Sequence, residues 1–172
     1  MRMRPWLGLL ISLTAGPAAA QEQPDFTGQW VLETPVAADI GAARELSVRQ
    51  WFEHATSVRD VPIDIPHVTI ERHFPSGLRS ESYQIGISGG MTGGLAAGAS
   101  VPSWSTRYAV RWDGDRLIIE TGQYSGPTRE SGPYLEHEEV WALDIDGRLI
   151  MSVADRDPTT GPRTTQLAYR KP

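Results

Sequence analysis

Apolar and polar residues alternate at period two along most of the chain, and tight-turn dipeptides interrupt the alternation at short intervals. Side chains on a strand point to opposite faces in turn, so this pattern predicts antiparallel hairpins that bury one face each. Residues 67–74 set Val68, Ile70 and Phe74 on one face and His67, Thr69, Glu71 and His73 on the other. Residues 79–87 set Tyr83, Ile85 and Ile87 against serines and Gln84. With Ser76 and Gly77 as central turn residues, Ile70 faces Tyr83 and Val68 faces Ile85. A second hairpin joins 105–112 to 116–121 through Asp113 and Gly114, with Val110 opposite Leu117 and Tyr108 opposite Ile119. A third joins 135–144 to 148–154. There a three-residue loop of Ile145, Asp146 and Gly147 aligns Leu143 with Leu149 and Trp141 with Met151. A two-residue turn would pair Leu143 with Ile150 instead.

Strands are also expected at 29–33 and 164–170. Residues 44–54 fit a strand through Leu46, Val48 and Phe52, or a helix face through Val48, Trp51, Phe52 and Ala55; the β-rich context favours strand. Pro62 and Pro66 bracket Ile63 and Ile65 in an extended connector that cannot be a central strand. Eight or nine strands joined in series leave edges that closure removes, so the expected fold is an all-β up-and-down meander closed into a barrel, with a two-sheet sandwich as the alternative.

The 172 residues suit one domain behind a short address. Arg2 and Arg4 precede an apolar run over 6–13, and Ala18, Ala19 and Ala20 supply small residues before Gln21, the pattern of a cleavable secretory signal over 1–20. The run is too short to span a bilayer, which needs roughly 20 apolar residues, and no later segment is long enough. The expectation is a protein exported to the periplasm or the extracellular space, comprising 21–172. With no cysteine in the chain, neither lipid anchoring at the cleavage point nor disulfides are expected. The formal charge of −5, with acids scattered, argues against a nucleic-acid groove or a polybasic membrane patch.

The segment Asp25-Phe26-Thr27-Gly28-Gln29-Trp30-Val31-Leu32 resembles the opening strand of lipocalin-like barrels, in which a glycine, any residue and a tryptophan begin the barrel. Such proteins often set a basic residue of the last strand against this tryptophan, and Arg170 stands where that partner would. The stretches from Trp112 to Leu117 and from Trp141 to Leu149 also look like hairpins repeated in small exported bacterial proteins of this type. The resemblance implies a calycin-type barrel with a small-molecule site. The chain departs from the pattern in lacking a cysteine pair and in its Gly-rich stretch after Ile87, so candidate ligand positions come from hairpin parity alone.

Parity places several polar groups on the apolar face. The Ser76-Gly77 turn sets Arg72 directly opposite Glu81, which predicts an inward ion pair. Near the turn such a pair would be hydrated and would merely fix register; deeper, its desolvation cost of several kcal/mol per ion points to function. On the near-turn placement Arg72→Leu should cost ligand affinity and little stability. If Trp141 and Leu143 face inward, so do His137 and Glu139. Cα atoms two residues apart lie about 6–7 Å from one another, close enough for a carboxylate to raise the imidazole pKa; a solvated, acidic strand end is the alternative.

A metal site from His67 and His73 is excluded, since six residues of strand separate them by roughly 20 Å. His54 and His137 with a carboxylate could meet only across strands. No cofactor motif is present, and the Gly-rich stretch over 86–100 lacks the lysine of a phosphate loop. That stretch reads as a loop, either a plain connection or a lid tipped by Met91, Leu95 and Val101.

The functional expectation is an exported barrel binding one small apolar or amphipathic molecule. Tyr83, Tyr108, Ile119, Trp141 and Met151 would line the cavity, and Arg72 and Glu81 would orient a polar end. One alternative is a cyclase- or isomerase-like enzyme in which His137 with Glu139, or Glu81, moves a proton. Another is a filled barrel acting as an interaction module.

Overall fold

The computed structural model describes residues 23–33, 42–94, 104–125 and 135–172, while the signal expected over 1–20 lies outside them. Ten strands follow one another along the chain. They are β1 (Gly28–Leu32), β2 (Glu45–Thr56), β3 (Pro62–Phe74), β4 (Gly77–Gln84) and β5 (Ile87–Gly94), then β6 (Trp104–Asp113), β7 (Arg116–Ser125), β8 (Leu135–Leu143), β9 (Leu149–Asp157) and β10 (Gly161–Arg170). Each strand pairs antiparallel with its sequence neighbour except β4 with β5, and β1 pairs with β10, giving the order β4-β3-β2-β1-β10-β9-β8-β7-β6-β5. This is the expected up-and-down meander, curled into a nearly closed barrel. The one unladdered seam lies between β4 and β5. It is drawn together at one end by the turn joining them, where Ile85 N–H donates to the Pro66 carbonyl (2.8 Å) and Gly86 N–H to the Val110 carbonyl (2.7 Å).

The third hairpin has the expected register, with Leu143 opposite Leu149 and Trp141 opposite Met151. Its loop closes through Gly147 N–H on the Asp144 carbonyl (3.0 Å), with Gly147 at φ +75°, a conformation that favours glycine. The other two hairpins are each offset by two residues from expectation. Phe74 pairs with Gly77, so Pro75 and Ser76 make the turn, Val68 faces Tyr83 and Ile70 faces Glu81. Proline's fixed φ suits the first central position of a turn, a cue that outweighs glycine's presence in second place. Asp113 likewise pairs with Arg116, so Gly114 and Asp115 make that turn, Val110 faces Ile119 and Tyr108 faces Thr121. An offset of two keeps every side chain on its face.

Two connectors prove to be strand. Residues 62–66 continue β3 and pair with β2 out to Thr56 and Pro62. The β3–β4 ladder begins only at His67, so the two prolines sit where one edge of β3 has no strand neighbour and no ladder N–H is needed. The Gly-rich stretch expected to be a loop supplies β5, whose residues 87–94 pair with β6 through a bulge between Ser88 and Gly90. Glycine weakens a strand interior, but a one-sided ladder uses only backbone groups. Leu95 and Val101 lie outside the described residues.

The inner faces of the strands pack one layer tightly. Phe26, Trp30, Leu46, Val68, Ile70, Val110, Leu117, Ile119, Trp141, Leu149, Met151 and Tyr169 are all essentially inaccessible to solvent. Phe26, just ahead of β1, closes one end: its ring stacks on Trp112 (centroids 5.9 Å apart) and meets Trp141 edge-on at 5.9 Å. Trp30 Nε1–H donates to the Phe26 carbonyl at 2.8 Å. The basic residue over Trp30 is Lys171, whose Nζ lies 5.0 Å from the ring centroid, rather than Arg170, which reaches Glu33 at 3.9 Å.

Candidate functional site

Above this floor the barrel is hollow. A cavity of about 850 Å³ extends toward the end where β3 turns into β4, which argues against a filled barrel. Ile119, Met151, Val153, Leu167, Tyr83 and Tyr169 form its apolar wall, and Arg72, Glu81, His137, Glu139 and Asp155 project into it. Ser76, Arg79, Gln123 and Leu135 belong to the same lining, nearer the turn end.

The charged groups form one connected network. Arg72 Nε–H donates to Glu81 Oε2 at 3.0 Å and Nη2–H to Glu139 Oε2 at 2.8 Å. The same Glu139 oxygen accepts from Trp141 Nε1–H at 2.9 Å, and its other oxygen lies 2.9 Å from His137 Nε2. His137 Nδ1 in turn lies 2.6 Å from Asp155 Oδ1. Arg72 is 8% exposed and Glu139 4%, while the side chains of His137 and Asp155 are 30% and 44% exposed, so the network runs from the core toward solvent. The predicted Arg72–Glu81 pair is therefore present. It is reached diagonally, because Arg72 stands opposite Arg79, and Arg72 is buried rather than hydrated near the turn.

Electrostatics follow from this packing. Burial alone pushes the Glu139 carboxyl up, but the Arg72 charge and the His137 hydrogen bond outweigh it and bring the pKa down to about 2. Burial favours the neutral forms of Arg72 and His137, and the carboxylates around each reverse that preference, so both hold their protons more tightly than usual. Both imidazole nitrogens of His137 face carboxylates, which suits the doubly protonated ring. A neutral ring would turn a lone pair onto one of those oxygens. Burial raises the phenols of Tyr83 and Tyr169; at Tyr83 the Glu81 charge and hydrogen bond add to the rise, and at Tyr169, which reaches about 12, the Arg72 charge partly offsets it. No buried side-chain nitrogen or oxygen among the described residues lacks a hydrogen-bond partner.

These shifts define a pH window. The folded His137 pKa lies above its ordinary 6.5, so its stabilising contribution is complete below pH 6.5 and fades as pH rises through the folded value. Glu139 runs the other way: its contribution is complete above 4.5 and is lost as pH falls through about 2. The network thus stabilises most between 4.5 and 6.5. Thermal unfolding of the wild type and His137→Gln should show a Tm gap that is widest near pH 6 and shrinks toward pH 9. A gap constant across that range would contradict the assignment.

Of the residues expected at the site, Arg72, Glu81, Tyr83, Ile119, Met151, His137 and Glu139 line the cavity. Trp141 does not: it is fully buried in the floor and holds Glu139 through its N–H. Tyr108 packs edge-on against Tyr83 with centroids 5.1 Å apart and is absent from the cavity lining. Asp155, Val153, Leu167 and Tyr169 join the site unforeseen. His137 and Asp155 are direct cross-strand partners, so continuing the third hairpin's register one residue past Ala154 would have found Asp155. His54 pairs instead with Asp64 on the far part of the β2–β3 hairpin, and no group of three metal-ligating side chains occurs among the described residues. A second hollow of about 330 Å³ borders Ala109, Gly122 and Ala154 on the outer face of β6–β9. The charge network is centred inside the barrel, so the interior is the candidate site.

Neither a protein family nor a curated protein sequence matches the chain. Similar solved structures include the wild-type fluorescent protein UnaG, with 15% sequence identity and a TM-score of 0.45 over 86% of this chain and 97% of that one.

Proposed function

We propose that this protein binds one small amphipathic molecule inside its barrel, and that it does so after export directed by residues 1–20. The observation that carries the binding reading is an interior cavity of about 850 Å³ with an apolar wall on one side and a fixed charge network on the other. Burying roughly 300 Å² of apolar ligand surface contributes about 7 kcal/mol at 25 cal/mol per Å². Lost freedom on association subtracts several kcal/mol, so apolar burial alone leaves roughly millimolar affinity, and contacts to the polar end must supply any tighter binding.

The acid–base alternative is less well supported. His137 faces the cavity, but both of its nitrogens are engaged by carboxylates, and Glu139 is held ionised by Arg72, so neither has a proton or lone pair ready for a substrate. Titration with the neutral dye Nile red tests the binding reading. The wild type should take up one dye per barrel, displaced by 1-decanol, and Val153→Trp, which adds a ring to the cavity wall, should bind at least about tenfold more weakly with its circular dichroism unchanged. Equal uptake by both proteins would place the dye elsewhere.

A further inference from the structure

The cavity's charges are unevenly committed. Arg72 is shared between two carboxylates and lies behind them, 8% exposed, whereas Glu81 and Asp155 sit nearer to solvent. Glu81 uses one oxygen on Arg72, and Asp155 uses one on His137. Glu81 also takes a hydrogen bond from the Tyr83 hydroxyl, and the second oxygen of Asp155 has no hydrogen-bond partner among the described residues; with their side chains 27% and 44% exposed, both carboxylates remain accessible from the cavity. Three carboxylates face one guanidinium and one imidazole, and even with the imidazole protonated the cluster stays negative. Arg79, nearer the turn end, lies over the Phe74 ring at 5.5 Å and is solvent-exposed, where its charge is screened.

Resting on the binding reading above, we infer that the ligand's polar end is a cation or strong hydrogen-bond donor, an amine rather than a carboxylate, received by Glu81 and Asp155. A carboxylate approaching Arg72 would meet Glu81 and Glu139 already seated on that guanidinium. An ammonium meets acceptors on an apolar wall that takes its chain. Arg72 then acts as the fixed counter-charge that lets Glu139 remain ionised in the core, and it is not the ligand's anchor.

Three probes of one chain length separate the claims: n-decylamine, 1-decanol and decanoate, each displacing Nile red at neutral pH and low salt. The amine should bind at least about tenfold more tightly than decanoate, with the alcohol between them. Glu81→Gln and Asp155→Asn should each narrow the ratio several-fold, and Val153→Trp should weaken the amine, excluding its adsorption to the acidic surface. If decanol binds but decanoate matches or exceeds the amine, or if the ratio is unchanged in both carboxamide variants, this inference is wrong and the binding reading stands. If none of the three displaces the dye, the binding reading itself fails.

Discussion

Replacing Glu139 with leucine should lower the stability of the barrel by about 3–5 kcal/mol, the usual cost of removing one partner from a buried ion pair. The substitution strips three donors at once: Arg72 loses its shortest contact, and the Trp141 N–H and His137 Nε2 lose their acceptor. Glu81 alone is left to compensate a guanidinium that water scarcely reaches. Much of the loss is the penalty of an orphaned charge, so Arg72→Met combined with Glu139→Leu should recover a large part of it, with a coupling energy of about 2 kcal/mol or more in the double-mutant cycle. Urea unfolding of the four proteins measures this. Additive losses would mean that the two groups do not act as a pair.

Phe26→Ala should cost a similar amount, about 3–5 kcal/mol, because a fully buried ring is removed from a site that cannot collapse. The walls of that site, Trp112 and Trp141, are anchored in β6 and β8, and Trp30 is tied to the backbone of residue 26 rather than to its ring. For a domain of this size the loss corresponds to a Tm drop of roughly 10–15 °C. Phe26→Leu, which refills much of the space, should cost less than about 1.5 kcal/mol. A negligible effect of alanine would show that the segment ahead of β1 does not close the barrel.

Parity was the most legible property of the sequence. Two hairpins differ from expectation by two residues, yet Arg72, Glu81, Tyr83, Ile119 and Glu139 all reach the interior, because only an odd offset exchanges the faces of a strand. Depth was not legible. Placed opposite Glu81 beside a turn, Arg72 looks hydrated and dispensable for stability. Clamped between Glu81 and a carboxylate from β8, 67 residues away in sequence, it is neither. Barrel closure brings β3 and β8 together across the interior, and no local pattern encodes that contact. β5 was hidden for a related reason: its pairing with β6 rests on backbone groups, which a propensity argument about glycine does not see. Lys171 rather than Arg170 reaches Trp30 because it shares the parity of the inward Leu167 and Tyr169, whereas Arg170 lies on the exposed face.

The central claim is that a small molecule enters the barrel and rests against its inner wall. Intermolecular nuclear Overhauser effects from 1-decanol to protein labelled at its methionine and valine methyls measure this directly. Saturable contacts to Met151 and Val153 are predicted, both of which face the cavity. Contacts confined to the solvent-exposed Val58 and Val61 of the β2–β3 hairpin, or none that saturate, would contradict it.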